Sequence, residues 1–381
     1  MEALGQIGHF GTGTLSYLIP FLFVLTTVVF FHELGHFLVA RWCGVKIKAF
    51  SIGFGPELVG FNDRHGTRWK ISAIPLGGYV KFLGDEGAAS TPDRATLDAL
   101  SEEERRDTFF GKPLWQRAAI VAAGPFANFL LAIAIFAVIF TIYGREVTTA
   151  RVDQVVPGSA AEKAGFKTGD LILSIDGSRI DTFNDLQRIV STSADLPLVV
   201  VVDRGGQNLS LQATPERREV TDRFGNVHRI GQLGLSRDAT GANVKTERYA
   251  FPEAVLMGAR ETWFVIDRTF AYIGGLFAGR ESTDELGGPI RVAQVSGQVA
   301  TLGFAALVNL AAVLSVSIGL LNLFPVPMLD GGHLLFYAIE ALRGRPLSAR
   351  AQDISFRIGL AAVVMLMLFT TWNDIIHLTS L

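Results

Sequence analysis

Residues 15–31, LSYLIPFLFVLTTVVFF, run without a charge into His32-Glu33-Leu34-Gly35-His36. An apolar stretch of this length reads as a helix entering a bilayer, and a helix puts residues i and i+4 on one face. His32 and His36 can therefore offer imidazole nitrogens to one Zn²⁺ while Glu33, one residue on, reaches a water beside it. Only 7 of 381 residues are His, so chance would produce this pattern in about one such chain in a hundred or fewer. Ionisable side chains within a span cost about 2.5–3.5 kcal/mol each on insertion scales. Three together need something that compensates them, and a metal does.

Working outward, the composition fits a membrane class: 49% hydrophobic, 28 Phe and only 18% charged, with mean hydropathy +0.35. Four segments are long enough to span: residues 15–40, 118–143, 303–324 and 358–372, the last drawing on 373–381 to complete it. Charge sets their orientation. Residues 1–40 and the tail after Arg357 contain no Lys or Arg, so both ends face away from the cytoplasm. The loop between the first two segments carries Arg41, Lys46, Lys48, Arg105, Arg106, Lys112 and Arg117, and that between the last two carries Arg343, Arg345 and Arg350. Those loops are expected on the cytoplasmic side, and residues 144–302 outside. A cleaved signal peptide is not expected, because residues 1–14 have no basic n-region. The single Cys43 excludes an internal disulfide and reads as a small apolar residue at the boundary.

Two histidines are too few for a catalytic zinc, which takes three protein ligands and keeps one position open. The first and third segments run in the same direction, so their C-terminal ends fall at one depth. There the third segment ends in Asn322-Leu323-Phe324-Pro325-Val326-Pro327-Met328-Leu329-Asp330-Gly331-Gly332-His333. Asp330 is the expected third ligand, with the prolines breaking the helix to deliver it; the plainer role is an N-cap for a helix over 332–342. His333 is expected beside the ligands rather than among them. Asn322 is a neutral amide suited to a developing oxyanion or a substrate carbonyl.

These residues together resemble the site-2 protease family of intramembrane zinc metalloproteases, in its bacterial RseP-like branch, over nearly the whole chain. The zinc motif falls on His32, Glu33 and His36. The Asn-x-x-Pro-x-Pro-x-x-Asp-Gly motif falls on Asn322, Pro325, Pro327, Asp330 and Gly331, and a Gly-x-x-x-Asn motif on Gly124 and Asn128. Small residues in the second segment also allow close helix packing, and Asn128 joins Asn322 as a substrate-binding or oxyanion candidate.

After the first segment the pattern becomes extended. Residues 44–83 read as a β-hairpin turning at 62–66, plus a further strand through Gly77, Gly78 and Tyr79. A helical substrate hides its scissile amide in i→i−4 hydrogen bonds, so a sheet edge here could hold the unwound strand by β-addition, and Gly77, Gly78 and Tyr79 are substrate-binding candidates. The resemblance implies a membrane-reentrant β-loop. Residues 84–107 read as a surface loop with a short helix.

Residues 152–215 resemble one PDZ domain, with Val155-Val156-Pro157-Gly158-Ser159-Ala160-Ala161-Glu162-Lys163-Ala164-Gly165-Phe166 and Gly169-Asp170-Leu171-Ile172 as its signature. A helix over 183–191 and strands at 198–203, 208–213 and 230–235 are expected. Better-known RseP-like members have two tandem copies. Residues 251–277 place apolar side chains at helical spacing, which suits an amphipathic helix on the outer membrane face, and Gly288-Pro289-Ile290 reads as a helix entry.

The expected fold class is thus a polytopic α-helical membrane protein of about four transmembrane helices. It has a membrane-associated β-hairpin region and one extracytoplasmic PDZ-like α+β domain. The expected domains are 1–143 (membrane core with the β-loop 44–83), 144–240 (PDZ-like), 241–302 (linker and surface helix) and 303–381 (second membrane core). The expected function is zinc-dependent proteolysis within the bilayer of a bacterial inner membrane. The termini and the PDZ-like domain would be periplasmic and the active site toward the cytoplasm. The resemblance implies substrates that are single-span membrane proteins, such as anti-sigma factors and signal-peptide remnants. Expected partners are those substrates, the lipid bilayer and an extracytoplasmic peptide for the PDZ-like domain, with no nucleic acid. A PDZ-bearing scaffold with a structural metal is the rival, and Glu33, superfluous in a structural site, speaks against it. A zinc hydrolase of lipids or small amides is a second rival, for which a PDZ-like module has no use.

Overall fold

The computed structural model describes residues 2–85, 94–147, 149–221, 227–236, 245–279, 283 and 286–379. Among them, four helices are long and apolar enough to cross a membrane: Leu15–Trp42, Leu114–Ile142, Phe304–Asn322 and Arg350–Ile376. The chain divides into two compact units, Met1–Ile139 with Ala254–Leu381, and Phe140–Glu253.

The first unit opens with α1 (Glu2–Trp42), followed by β1 (Ile47–Asn62) and β2 (Arg68–Phe82). These strands do more than form a hairpin. Both bend, so that residues 49–52 pair with 68–71 on one side and with 78–81 on the other, while 57–62 pair outside 68–72. The result is four strand segments in the order 57–62, 68–72, 49–52, 78–82, with the last at an edge. Gly53, Gly55 and Gly77 all take positive φ, the left-handed region open to glycine, and supply the bends. Asp63 fastens the turn at 62–66. It accepts from the backbone amides of His65 and Thr67, from Trp69 Nε1 and from Arg41 at the end of α1. Burial would raise its carboxyl, but these donors outweigh it and hold the group well below the ordinary carboxylate range.

Two short helices follow, α2 (Arg94–Ala99) and α3 (Glu102–Arg106), where one was expected; residues 86–93 of that loop lie outside the described residues. Next comes α4 (Leu114–Ile142), which meets α1 backbone to backbone. A Cβ on Gly35 would stand 2.3 Å from Ala123 O, so only glycine permits the approach.

The second unit contains β3 (Arg145–Val147), β4 (Gln154–Val155), α5 (Ala160–Lys163), β5 (Leu171–Ile175), β6 (Ser178–Arg179), α6 (Phe183–Ser191), β7 (Leu198–Arg204), β8 (Gln207–Ala213), β9 (Glu216–Thr221), β10 (Val227–Gln232), β11 (Leu235–Ser236) and β12 (Lys245–Glu247). Its centre is an antiparallel sheet ordered β6-β5-β7-β8. The inward residues Ile172, Ile175, Val200 and Val202 pack with Val152 and with Leu186 and Val190 of α6. The expected strand at 230–235 is interrupted. Gly234 takes φ +81 with its Cα pressed on Ser159, which divides it into β10, paired with β9, and β11, paired with β4. The expected domain limit at 240 lies outside the described residues. Inside this unit Asp170, fully buried, receives two hydrogen bonds from Arg204, at 2.7 and 2.8 Å.

The chain returns to the first unit through α7 (Phe251–Phe277), α8 (Pro289–Ala300), α9 (Phe304–Asn322), α10 (Asp330–Arg343) and α11 (Ala349–Thr379). α7 meets protein through its small residues, and large residues of the apolar face expected on the membrane stay uncovered by protein. Ala254, Gly258 and Thr262 are buried, and Gly258 lies so close to α4 that a Cβ would be 2.7 Å from Ile133 O, whereas Trp263 and Phe277 remain 68% and 91% exposed. The fourth apolar helix begins earlier than expected, at Arg350, and an exposed Asp353–Arg357 pair at i,i+4 lies in its added first turns. Asp374 near its end is buried and accepts from the amides of Gly288, Ile290 and Arg291. It therefore caps α8 from 86 residues away, and Gly288-Pro289-Ile290 is the capped entry.

Candidate metal centre

His32 and His36 lie one turn apart on α1, and the start of α10 brings Asp330 to them. His32 Nε2 is 3.2 Å from His36 Nε2, Asp330 Oδ2 is 3.2 Å from the first and 3.5 Å from the second. The tautomer of His36 follows from its other nitrogen. Nδ1 is 2.8 Å from Ile120 O; a carbonyl only accepts, so Nδ1 carries the proton and Nε2 turns a lone pair toward the carboxylate. Asp330 Oδ2 is buried with no hydrogen-bond donor. Convergent acceptors of this kind repel unless a cation joins them. A tetrahedral ion with bonds of about 2.0–2.1 Å has ligand-to-ligand edges of about 3.3 Å, so the three separations fit zinc.

Asp330 is not the N-cap of the helix it begins. Leu329 holds that position, with no side-chain cap. The preceding loop is tightly folded: Val326 N–H reaches Phe324 O at 2.7 Å, and Met328 takes φ +89. Such a backbone costs a non-glycine residue about 1–3 kcal/mol. Gly331 and Gly332 make room for it, since a Cβ on either would lie 2.2 and 2.4 Å from loop carbonyls. Arg117 of α4 then ties α10 in place. It pairs with Glu340 at 2.5 Å and lies over the Tyr337 ring.

Glu33 faces the sheet edge, where the Val80 amide donates to its carboxylate. Gly78, Tyr79, Asn322, Met328 and His333 line one cavity with Glu33 and the three converging residues. Two expected candidates do not face it. Gly77 forms the bend before the edge, with φ +131 and the Phe54 ring against it. Asn128 is fully buried behind His32, with its amide nitrogen 3.3 Å from Nδ1. The His32 ring stands between it and the cavity, which Asn128 does not line. His333 sits among Tyr337 and Phe356, and burial holds its imidazole below the ordinary histidine range.

Sequence reasoning missed the part played by α4. Gly124 does not merely ease helix packing: a Cβ there would lie 2.3 Å from His36 Nε2 and 2.9 Å from His32 Cε1. Ile120, Gly124 and Asn128 recur every four residues, so one stripe of α4 backs both imidazoles. That spacing was the available signal.

Residues 20–366 match the family model for peptidase family M50. A protein of Rhizobium meliloti (strain 1021), provisionally named a zinc metalloprotease, is 58% identical over 95% of this chain and 97% of its own length. Metalloprotease MmpA of Caulobacter vibrioides is 43% identical over 95% of this chain and 96% of its own. A solved PDZ domain of HtrA3, bound to a phage-derived ligand, is 27% identical, covering 19% of this chain and 81% of that one with a TM-score of 0.17.

Proposed function

The chain belongs to peptidase family M50 and is a membrane zinc metalloprotease of regulated intramembrane proteolysis, and from that premise we propose that His32, His36 and Asp330 hold the zinc and Glu33 moves the proton. The observation that carries this assignment is the set of three ligand atoms 3.2–3.5 Å apart with no donor at the buried carboxylate oxygen.

Bound there, zinc would polarise the scissile carbonyl and make a bound water acidic enough to give up its proton near neutral pH. Glu33 takes the proton from the attacking water and returns it to the departing amine. Asn322, on the same cavity, donates its amide N–H to the carbonyl oxygen as charge develops. The edge at 78–82 receives the unwound substrate as an added strand, which supplies the hydrogen bonds its helix gives up. The apolar outer residues of this sheet, Leu58, Val59, Phe61 and Leu76, are 57–66% exposed, which supports its association with lipid.

The substrates in this reading are single-span membrane proteins, anti-sigma-factor-like chains and signal-peptide remnants among them. The membrane is the bacterial inner membrane, with the termini and Phe140–Glu253 periplasmic and the zinc toward the cytoplasmic side, as the Lys and Arg distribution favours. The unit Phe140–Glu253 is PDZ-like and filters substrates by size or tail. The test of the zinc assignment is a set of three variants of the full chain. Glu33→Gln should keep zinc and insertion but lose cleavage of a single-span substrate, whereas Asp330→Ala should lose zinc as well and His333→Ala should retain most of it. Undiminished cleavage by Glu33→Gln, or equal zinc loss in the Asp330 and His333 variants, would overturn it.

A further inference from the structure

We infer that Asn128 is the positioning residue of His32: its side-chain carbonyl accepts the Nδ1–H of that imidazole and so keeps Nε2 free for the metal. The inference rests on the zinc assignment above and extends it to α4.

The two histidines are backed differently. His36 Nδ1 meets Ile120 O, which can only accept, and its tautomer is thereby fixed. His32 Nδ1 meets the Asn128 amide at 3.3 Å through the atom assigned as Nδ2. A donor there would leave the ring proton on Nε2, 3.2 Å from Asp330 Oδ2, and a protonated nitrogen cannot bind metal. The two ends of an amide have nearly the same shape, so their assignment follows from the surrounding hydrogen bonds. Here those bonds do not favour the assigned orientation. Asn128 Oδ1 is buried and has no partner, so turning the amide over gives up no other bond and puts a carbonyl against Nδ1–H.

Packing holds the amide in place. Asn128 is fully buried, a Cβ on Gly319 of α9 would sit 3.1 Å from its Cβ, and its own backbone carbonyl accepts from Ser315 Oγ at 2.9 Å. Pro125, three residues earlier, cannot donate to Val121 O and opens the helix ladder beside Ile120. A buried amide with one side-chain partner is expensive inside a membrane helix unless that partner needs it. Its partner is a metal-ligand imidazole, whose remote N–H requires an acceptor.

The test uses the full chain in detergent, with zinc affinity measured against a competing chelator for wild type, Asn128→Asp and Asn128→Leu. Loss of the acceptor in Asn128→Leu should weaken zinc roughly 10–100-fold, while Asn128→Asp, which keeps one, should stay close to wild type. A purely packing role predicts the reverse order, because leucine fills the same apolar volume and a carboxylate there is a buried charge. Zinc affinity in Asn128→Leu equal to wild type, or Asn128→Asp as weak as Asn128→Leu, would overturn the inference. Should the leucine variant fail to fold, nitrogen shifts of ¹⁵N-histidine in the metal-free wild type decide: the proton of His32 belongs on Nδ1, and one on Nε2 would overturn it. A wild-type chain that binds zinc which His32→Ala abolishes and Asn128→Leu leaves unchanged would sink this inference alone. A wild-type chain without zinc affinity would sink the parent assignment.

Discussion

Replacing Gly124 with alanine should empty the metal centre while leaving the helix that carries it intact. The added Cβ would lie 2.3 Å from His36 Nε2, where ordinary contact begins at 3.4 Å. Relief requires about 1.1 Å of ring movement, against a tolerance of about 0.2 Å in metal–ligand distance. His36 cannot swing away freely, because Ile120 O holds its Nδ1 at 2.8 Å. Affinity should therefore fall by more than the roughly 10–100-fold that follows loss of a ligand's outer partner, since a ligand itself is displaced. Alanine favours a helix over glycine by up to about 1 kcal/mol, which offsets part of the roughly 1–3 kcal/mol that overpacking costs, so the metal-free protein should lose no more than about 2 kcal/mol. Gly274→Ala in α7 is the control, because a Cβ there would meet nothing within 4 Å. The assay is chelator competition beside a melting curve for each purified variant. Retention of wild-type zinc affinity by Gly124→Ala would refute the claim that α4 sets the space for the imidazoles.

Other expectations concern the second unit and the orientation. In a Cys43→Ala background, a cysteine at Gln207 should react with an impermeant thiol reagent added outside spheroplasts, and one at Glu103 only after permeabilisation; the opposite pattern would invert the proposed orientation. Asp170 is held below the ordinary carboxylate range: burial opposes this, but Arg204 and the Lys167 amide outweigh it. Its contribution is thus present above the unfolded aspartate value near 4 and lost as pH falls through the lower folded value. Protection of β5 and β7 amides from hydrogen exchange, corrected for intrinsic rates, should drop with acid in wild type. In Asp170→Ala it should already be lower at pH 7, by about 2 kcal/mol, less than the 3–5 of a fully buried pair because Arg204 is 28% exposed. Unchanged protection in that variant would exclude the pair as a support. Joining residues 143 and 248 by a short linker should preserve cleavage of an already trimmed substrate and admit substrates with bulky external domains. Loss of the former with zinc intact would replace filtering by obligatory docking.

What the sequence made legible was local or periodic. The i,i+4 spacing of His32 and His36, the run of apolar residues before them and the proline break before Asp330 are each visible within a dozen residues. Depth matching from charge was enough to bring Asp330 to the histidines across the chain. What stayed hidden depends on the absence of atoms or on partners far apart in sequence. Hydropathy gives no weight to the missing Cβ of Gly124, Gly258 or Gly35, although these set how near the helices come. The side of α7 that meets protein was not legible for that reason: the spacing marked the large apolar residues expected on the membrane face and gave no sign that Ala254, Gly258 and Thr262 make the protein contacts. Asn128 looked like a substrate residue because its motif stands near the site, but only the helix crossing shows which side of His32 it occupies. The doubling of two strands into four segments follows from glycine bends that alternation of side chains does not reveal.

The converging atoms of the metal centre are far apart along the chain, Asp330 standing 298 positions after His32. At about 5–20 residues per second of synthesis, a ribosome takes roughly 15–60 s to pass from one to the other. Throughout that interval the growing chain holds the proton-handling glutamate and two histidines in its first helix without the carboxylate that completes the set. Asp374, which caps α8, is made later still. Under the proposed assignment, a chain halted before α10 would hold two of the three ligands, so the order of the ligands along the sequence delays assembly of the site until Asp330 is made.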